Sequence, residues 1–126
     1  MGDWGSKPRE NDEAADWFHK LWKYSDFSIV INEIQNFRPE EEKYDSFRAA
    51  CYVLQSFGNP YMWPSKHREL LRELLDTSIG ILEKMIDSPG EAWGFLDMWG
   101  NDPKVIVAVK QQIGELRMRR SELAPK

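Results

Sequence analysis

Apolar residues recur at steps of three and four along most of the chain, which is the spacing that places them on one face of an α-helix. The clearest case follows Ser65, where a long run of such positions forms a broad apolar face. Its members are Leu70, Leu71, Leu74, Leu75, Ile79, Leu82, Met85 and Ile86. The pattern predicts a long helix at the centre of the fold, capped by Ser65 and ended by residues 88–90.

Two helices are predicted before it in the first third of the chain. The first begins at Asn11, whose side chain suits an N-cap, and its apolar stripe continues to Trp22. The second begins after Ser25 or Asp26 and runs to about Phe37. Because residues 27–31 are rich in β-branched and aromatic side chains, a strand there is left as an alternative.

A third helix is predicted between a glutamate run and a glycine. Glu40, Glu41 and Glu42 suit the start of a helix, where negative charge is favourable. The stripe Tyr44, Phe47, Cys51 and Leu54 then follows at helical spacing. Gly58 is a suitable residue to end this helix.

Two more helices are predicted at the C-terminal end. A short one runs from Glu91 to about Trp99. The last begins with Asp102 as N-cap and Pro103 in the first turn. Residues 105–107 favour a strand by local propensity, but the wider spacing and the cap favour a helix.

Together these patterns predict an all-α fold, an irregular bundle of about six helices. The 126 residues fit one domain, and residues 1–10 are expected to form an irregular arm held by the indole of Trp4. The single cysteine excludes an intrachain disulfide. Neither a signal peptide nor a membrane span of about 20 apolar residues is recognisable, so we expect a cytoplasmic protein without membrane contact.

The net charge of −4 narrows the choice of partners. Nucleic acids require a basic face, so an acidic chain disfavours them. A basic protein surface is compatible, because complementary charge speeds encounter.

The first residues carry a motif that resembles a known family. The residues of this motif are Trp4-Gly5, Pro8, Asn11-Asp12, Ala15-Asp16 and Trp17. This order is similar to the opening of the bacterial domain-of-unknown-function family 4259, although Arg9 stands where that family usually has Phe. Residues 49–51 and 92–116 look similar to its later helices. The resemblance implies a small helical bacterial protein and no particular reaction.

One group of side chains has the spacing of a metal site. Asp12, Asp16 and His19 project from one face of the first helix. A lone histidine without a second ligand segment favours plain surface charge, and a small metal-dependent enzyme is kept as the alternative. Cys51 lies on an apolar stripe, which indicates a buried thiol rather than a nucleophile. We therefore predict no catalytic residue, no bound metal and no cofactor.

Aromatic residues exceed what a small bundle readily hides, and Tyr61, Met62 and Trp63 stand in a loop between two prolines. Exposed loop residues of this type are typical of interfaces. We predict a protein-binding protein, in its most specific form an immunity or antitoxin partner of a basic toxin domain. A homodimer with paired aromatic faces is the other alternative. The predicted contact residues are Asp12, Glu13, Asp16, His19, Tyr61, Met62 and Trp63.

Overall fold

Helices are the only regular secondary structure in the part of the chain that the computed structural model describes, residues 12–14, 16–17, 27–59, 63, 65–87 and 93–123. Residues 12–14 and 16–17 are helical and precede five labelled helices. These are α1 (Ser28–Gln35), α2 (Tyr44–Phe57), α3 (Leu71–Asp87), α4 (Phe95–Met98) and α5 (Pro103–Ser121). Two 3₁₀ helices, Pro39–Glu41 and Ser65–Leu70, precede α2 and α3. No strand occurs in these ranges, so the all-α prediction is confirmed.

The core lies where α2, α3 and α5 meet. The pairing of α3 with α5 is the most extensive helix contact, and α2 packs against α1 on one side and α5 on the other. Leu74 and Leu82 of α3 and Leu116 of α5 are completely buried. Each such side chain contributes about 1.5–3 kcal/mol through removal from water. The apolar face predicted for the central helix is therefore the centre of the fold.

The N-terminal helical residues are anchored by apolar contact and one hydrogen bond. Ala14 and Trp17 are buried, and the Trp17 indole donates from Nε1 to Oε1 of Glu33 on α1 at 3.0 Å. The predicted helical stripe is thus confirmed at these positions. The predicted start at residue 11, the end near residue 22 and the N-terminal arm with its indole lie outside the described residues.

The region from residue 27 to 42 departs from the prediction in two respects. The strand alternative is wrong, because Val30, Ile31 and Ile34 are buried together on one face of α1. The glutamates do not open α2. Pro39 begins a separate 3₁₀ helix. Glu42 then adopts a left-handed conformation with φ of 55°, which separates this 3₁₀ helix from α2.

Gly58 ends α2 as predicted, but steric space rather than conformation requires glycine there. Its φ of −82° is accessible to any residue. A Cβ at this position would lie 2.1 Å from the backbone oxygen of Leu54, so only a residue without a side chain fits against the preceding turn.

The predicted helix from Ser65 is divided. Residues Ser65–Leu70 form a 3₁₀ helix, and the regular α-helix begins at Leu71, so the prediction that Ser65 caps it is wrong. Tighter 3₁₀ turns are common at α-helix ends, and a side-chain periodicity of three to four residues does not distinguish the two.

The chain reverses sharply between α4 and α5. Gly100 and Asn101 are both left-handed, with φ of 60° and 56°. Asp102 then caps α5, since its Oδ1 accepts from the backbone N–H of Lys104 at 2.9 Å, and Pro103 occupies the first turn. The predicted start of α5 is confirmed, and residues 105–107 are helical. Of the predicted helix from Glu91, the described part is helical only over Phe95–Met98. No helix in the described ranges has the length and hydropathy needed to cross a bilayer.

Substitution of Gly58, with Gly80 as a comparison, tests the steric requirement at the end of α2. Gly58→Ala is expected to lower the free energy of unfolding by about 1–3 kcal/mol, because the added carbon forces the backbone apart. Gly80→Ala in α3 is the matched control, since a Cβ there meets nothing within 4 Å. It is expected to raise that free energy by about 0.5–1 kcal/mol. Urea denaturation measures both, and equal effects of the two substitutions would contradict the structure.

Candidate functional site

The three acidic residues predicted as contacts on the first helix point in different directions. Asp12 and Asp16 are exposed, but Glu13 faces α2. Its Oε2 accepts from the backbone N–H of Ser46 at 2.5 Å and from the Ser46 hydroxyl at 2.8 Å. Lys43 at the N-cap of α2 makes no side-chain capping bond, so Glu13 satisfies the helix start from outside. The prediction of Glu13 as a partner contact is corrected: its carboxylate is used within the fold.

A surface that we call the acidic end results from this contact. The Glu13–Ser46 bonds place Asp12 and Asp16 beside the start of α2. The glutamate run directly precedes that start, and all of its side chains are exposed. The acidic end therefore consists of Asp12, Asp16, Glu40, Glu41 and Glu42. From the sequence, these glutamates are predicted only to start a helix. A signal for their exposure is nevertheless present, because three consecutive carboxylates cannot all face a core.

The basic residues at the end of α5 are already paired. Arg117 bonds to Glu83 of α3, and Nε of Arg120 lies 2.7 Å from Oδ1 of Asp76. Arg119 donates from Nε to the backbone oxygen of Gln55 at 2.6 Å, and its Nη1 lies 3.2 Å from Oε1 of Glu122. Exposed pairs of this kind stabilise a fold by about 1 kcal/mol or less. Their effect is on charge distribution, because they neutralise the basic groups locally.

The glutamates of the acidic end take part in none of these ion pairs. Glu40 and Glu41 are held on the 3₁₀ helix, whose first carbonyl, that of Pro39, accepts a hydrogen bond of 3.0 Å from the Tyr44 hydroxyl. Three exposed glutamates thus stand before the start of α2, flanked by exposed Arg38 and Lys43, while the three arginines near the end of α5 are paired with carboxylates.

The aromatic loop does not present Trp63 to solvent. Its side chain is 2% exposed, and its ring meets that of Phe27 edge-on at 5.5 Å. The indole Nε1 donates to the backbone oxygen of His67 at 2.9 Å. The expectation that Trp63 is an exposed contact is wrong, because the 3₁₀ helix Ser65–Leu70 supplies a backbone acceptor for the indole N–H. Tyr61 and Met62 lie outside the described residues.

The metal hypothesis has no support among the described residues, where no group of three or more His, Cys, Asp or Glu could hold an ion. His19, which that hypothesis and the contact list both include, lies outside the described ranges.

Much of the aromatic excess forms one internal cluster. Phe37, Tyr44, Phe47, Trp93 and Phe95 contact one another with ring centroids 4.7–6.4 Å apart. The Tyr44 hydroxyl also accepts from the backbone N–H of Gly94 at 3.0 Å. Burial raises the pKa of Tyr44 above its ordinary value, which keeps the hydroxyl protonated as a donor. These rings join the 3₁₀ helix, α2 and α4, and they act as core rather than as a binding surface.

Arg48 and Gln112 form a buried polar pair that was not predicted from the sequence. Nε of Arg48 donates to Oε1 of Gln112 at 3.1 Å, and Nε2 of Gln112 donates to the Arg48 backbone oxygen at 2.8 Å. Burial lowers the pKa of Arg48 to about 10, so the guanidinium is still charged at neutral pH. A signal was present, because Arg48 follows Tyr44 by four residues and precedes Cys51 by three, on the same buried stripe.

Cys51 is a buried thiol, as predicted. It is fully enclosed, and burial raises its pKa to about 12. Because the thiolate is the nucleophilic form, this cysteine has little reactivity at neutral pH.

An open groove of about 700 Å³ runs between α3 and α5. Its lining residues are Glu83, Ile86, Asp87, Lys110, Ile113, Gly114 and Arg117. Glu83 and Arg117 bond to each other across it, so its charges neutralise one another instead of converging on a ligand.

No protein-family model matches the chain, and comparisons with curated proteins and with solved structures find no match. The similarity of the N-terminal motif to family 4259 therefore remains a prediction.

The different roles of two neighbouring carboxylates are open to test. Glu13→Gln is expected to lower the free energy of unfolding by about 1–2 kcal/mol, because the charged acceptor at the start of α2 is lost. Asp16→Asn, on the exposed side of the same helix, is expected to change it by no more than about 0.5 kcal/mol. Thermal and urea unfolding measure both variants. Equal stability of the two would contradict the capping role of Glu13.

Thiol accessibility gives a second test of the core. In the folded protein at pH 8, Cys51 is expected to react with a disulfide reagent at least about a hundredfold more slowly than in urea, because attack requires opening of the core. The absorbance of the released thiolate measures the rate, and the urea-unfolded protein is the control. Reaction of the folded protein at the unfolded rate would show that the thiol is accessible.

Proposed function

We propose that this chain is a non-catalytic protein-binding protein whose acidic end engages a basic surface of a partner protein. The most specific form of the proposal is a cytoplasmic immunity or antitoxin-type protein that neutralises a toxin by covering a basic region of it. One observation carries the proposal: the hydrogen bonds that Glu13 accepts from Ser46 join the segment with exposed Asp12 and Asp16 to the start of α2, which directly follows the exposed glutamates 40–42.

The arrangement of these charges supports recognition of a basic surface. A concentration of one sign of charge steers a partner of opposite sign and raises the rate of association. Glu40, Glu41 and Glu42 take no part in the arginine pairs of α5, and these three carboxylates outnumber the two exposed cations that flank them, Arg38 and Lys43.

The charged residues of the acidic end lie on two segments that hydrogen bonds fix to the rest of the fold. Hydrogen bonds of Glu13 and Trp17 hold the first helix against α2 and α1, respectively. The Tyr44 hydroxyl bonds the 3₁₀ helix Pro39–Glu41 to α2. Side chains presented from fixed backbone lose less entropy on binding, which favours affinity. The thiol of Cys51 is enclosed in the core and has little reactivity, which supports binding rather than covalent chemistry as the activity.

The proposal is tested by co-expression of the protein with the product of the adjacent reading frame, followed by pull-down and titration. Glu40→Gln with Glu41→Gln is expected to weaken binding by about 3- to 30-fold and to reduce its dependence on salt. The matched control is Glu69→Gln with Glu73→Gln, which removes two equally exposed charges at another place. The control is expected to bind within about twofold of the unchanged protein.

Three outcomes would count against the proposal. These are failure to capture the neighbouring product, a captured product with an acidic surface, and equal weakening by both double substitutions.

A further inference from the structure

Two large hydrophobic side chains are strongly exposed in the described ranges, and both lie on the outward face of α5. Val107 is 53% exposed and Met118 is 59% exposed. Gln111 and Gly114, also exposed, stand between them at successive steps of four, three and four. We name these four residues the outer stripe. It lies opposite the buried face of α5, which contains Val109 and Leu116.

The outer stripe has the spacing of a coiled-coil contact line. Alternate steps of four and three are the pattern by which one helix presents side chains to another in a two-stranded coiled coil. A Cβ placed at Gly114 would meet no atom within 4 Å, so no described element of the fold covers the middle of the stripe. The absence of a side chain there permits a second helix to approach closely.

The charges that flank the stripe identify what kind of helix fits. Lys110 and Arg117 lie along one edge, while Glu115 and Glu122 lie along the other. Lys110 and Arg117 directly precede the stripe residues Gln111 and Met118. In a parallel two-stranded coiled coil, a residue in that position faces the residue five places further along the other helix. Two copies of α5 would therefore set Lys110 against Glu115 and Arg117 against Glu122, on both sides of the axis.

The opposite orientation does not fit. In an antiparallel pair, equivalent edges face each other, so Lys110 and Arg117 would meet lysine and arginine, and Glu115 would meet glutamate. Like charges in such positions disfavour pairing. The charge pattern thus selects a second copy of the same helix in parallel orientation.

We propose that the outer stripe of α5 is the contact surface of a parallel homodimer. α5 has 19 residues, which corresponds to a length of about 28 Å. Each copy contributes only two large apolar side chains, so the interface belongs to the small class and the dimer dissociates on dilution. This proposal is independent of the acidic end, which α5 does not include.

Lys110 and Glu115 provide the sharpest test, because Arg117 and Glu122 already have partners within the chain. Sedimentation velocity over rising concentration is expected to show a monomer–dimer equilibrium. Lys110→Glu alone and Glu115→Lys alone are each expected to weaken dimerisation at least about tenfold, because each creates two like-charge pairs. An equimolar mixture of the two variants restores opposite charges at every pair and is expected to recover dimerisation.

A control and an orientation test complete the experiment. Glu40→Gln with Glu41→Gln, which alters the acidic end, is expected to leave dimerisation unchanged, so the two proposals fail separately. Met118→Cys is expected to form a disulfide with its own copy under mild oxidation, because position 118 faces itself only in a parallel pair.

Three results would overturn the proposal. The first is a monomer at every concentration, and the second is a mixture of the charge variants that does not recover. The third is cross-linking of Met118→Cys only with a Val107→Cys variant, which indicates an antiparallel pair.

Discussion

The reciprocal bonds between Arg48 and Gln112 determine how α5 lies on the bundle. α5 buries Val105, Val109, Ile113 and Leu116 on one face, and Gln112 lies on that same face, so the apolar burial and the Arg48 pair select the same rotation about its axis. Only the observed rotation lets Gln112 donate to the Arg48 backbone and accept from its guanidinium. Loss of one partner in such a buried pair costs about 1–3 kcal/mol. The arginine pairs with α3 and the outward position of the outer stripe both follow from this rotation.

Periodicity predicted which segments are helical and which faces they bury, because both depend on side-chain spacing along a single segment. It did not predict the local backbone at segment ends. Glu42 in a left-handed conformation, the 3₁₀ start at Ser65 and the close approach at Gly58 depend on what lies next to each end in three dimensions. The cap at Asp102 was predictable, since donor and acceptor are two residues apart.

The candidate site was predictable only in part, for a related reason. Sequence spacing put Asp12 and Asp16 on one outward face, which the structure shows, but could not reveal that Glu13 reaches Ser46, 33 residues away. The burial of Trp63 likewise depends on an acceptor in the following turn. That long-range Glu13 contact joins the segment with Asp12 and Asp16 to the start of α2, which the glutamates at positions 40–42 directly precede.

The reversal at Gly100 and Asn101 makes the number of residues before α5 as important as their identity. Successive helical residues are separated by about 100° around the axis. One inserted residue would move every α5 side chain forward by one place, so that Glu115 would occupy the enclosed site of Leu116 and Gln112 would leave Arg48. Two left-handed residues in succession therefore act as a spacer of fixed length, and we expect this corner to accept substitutions more readily than insertions or deletions.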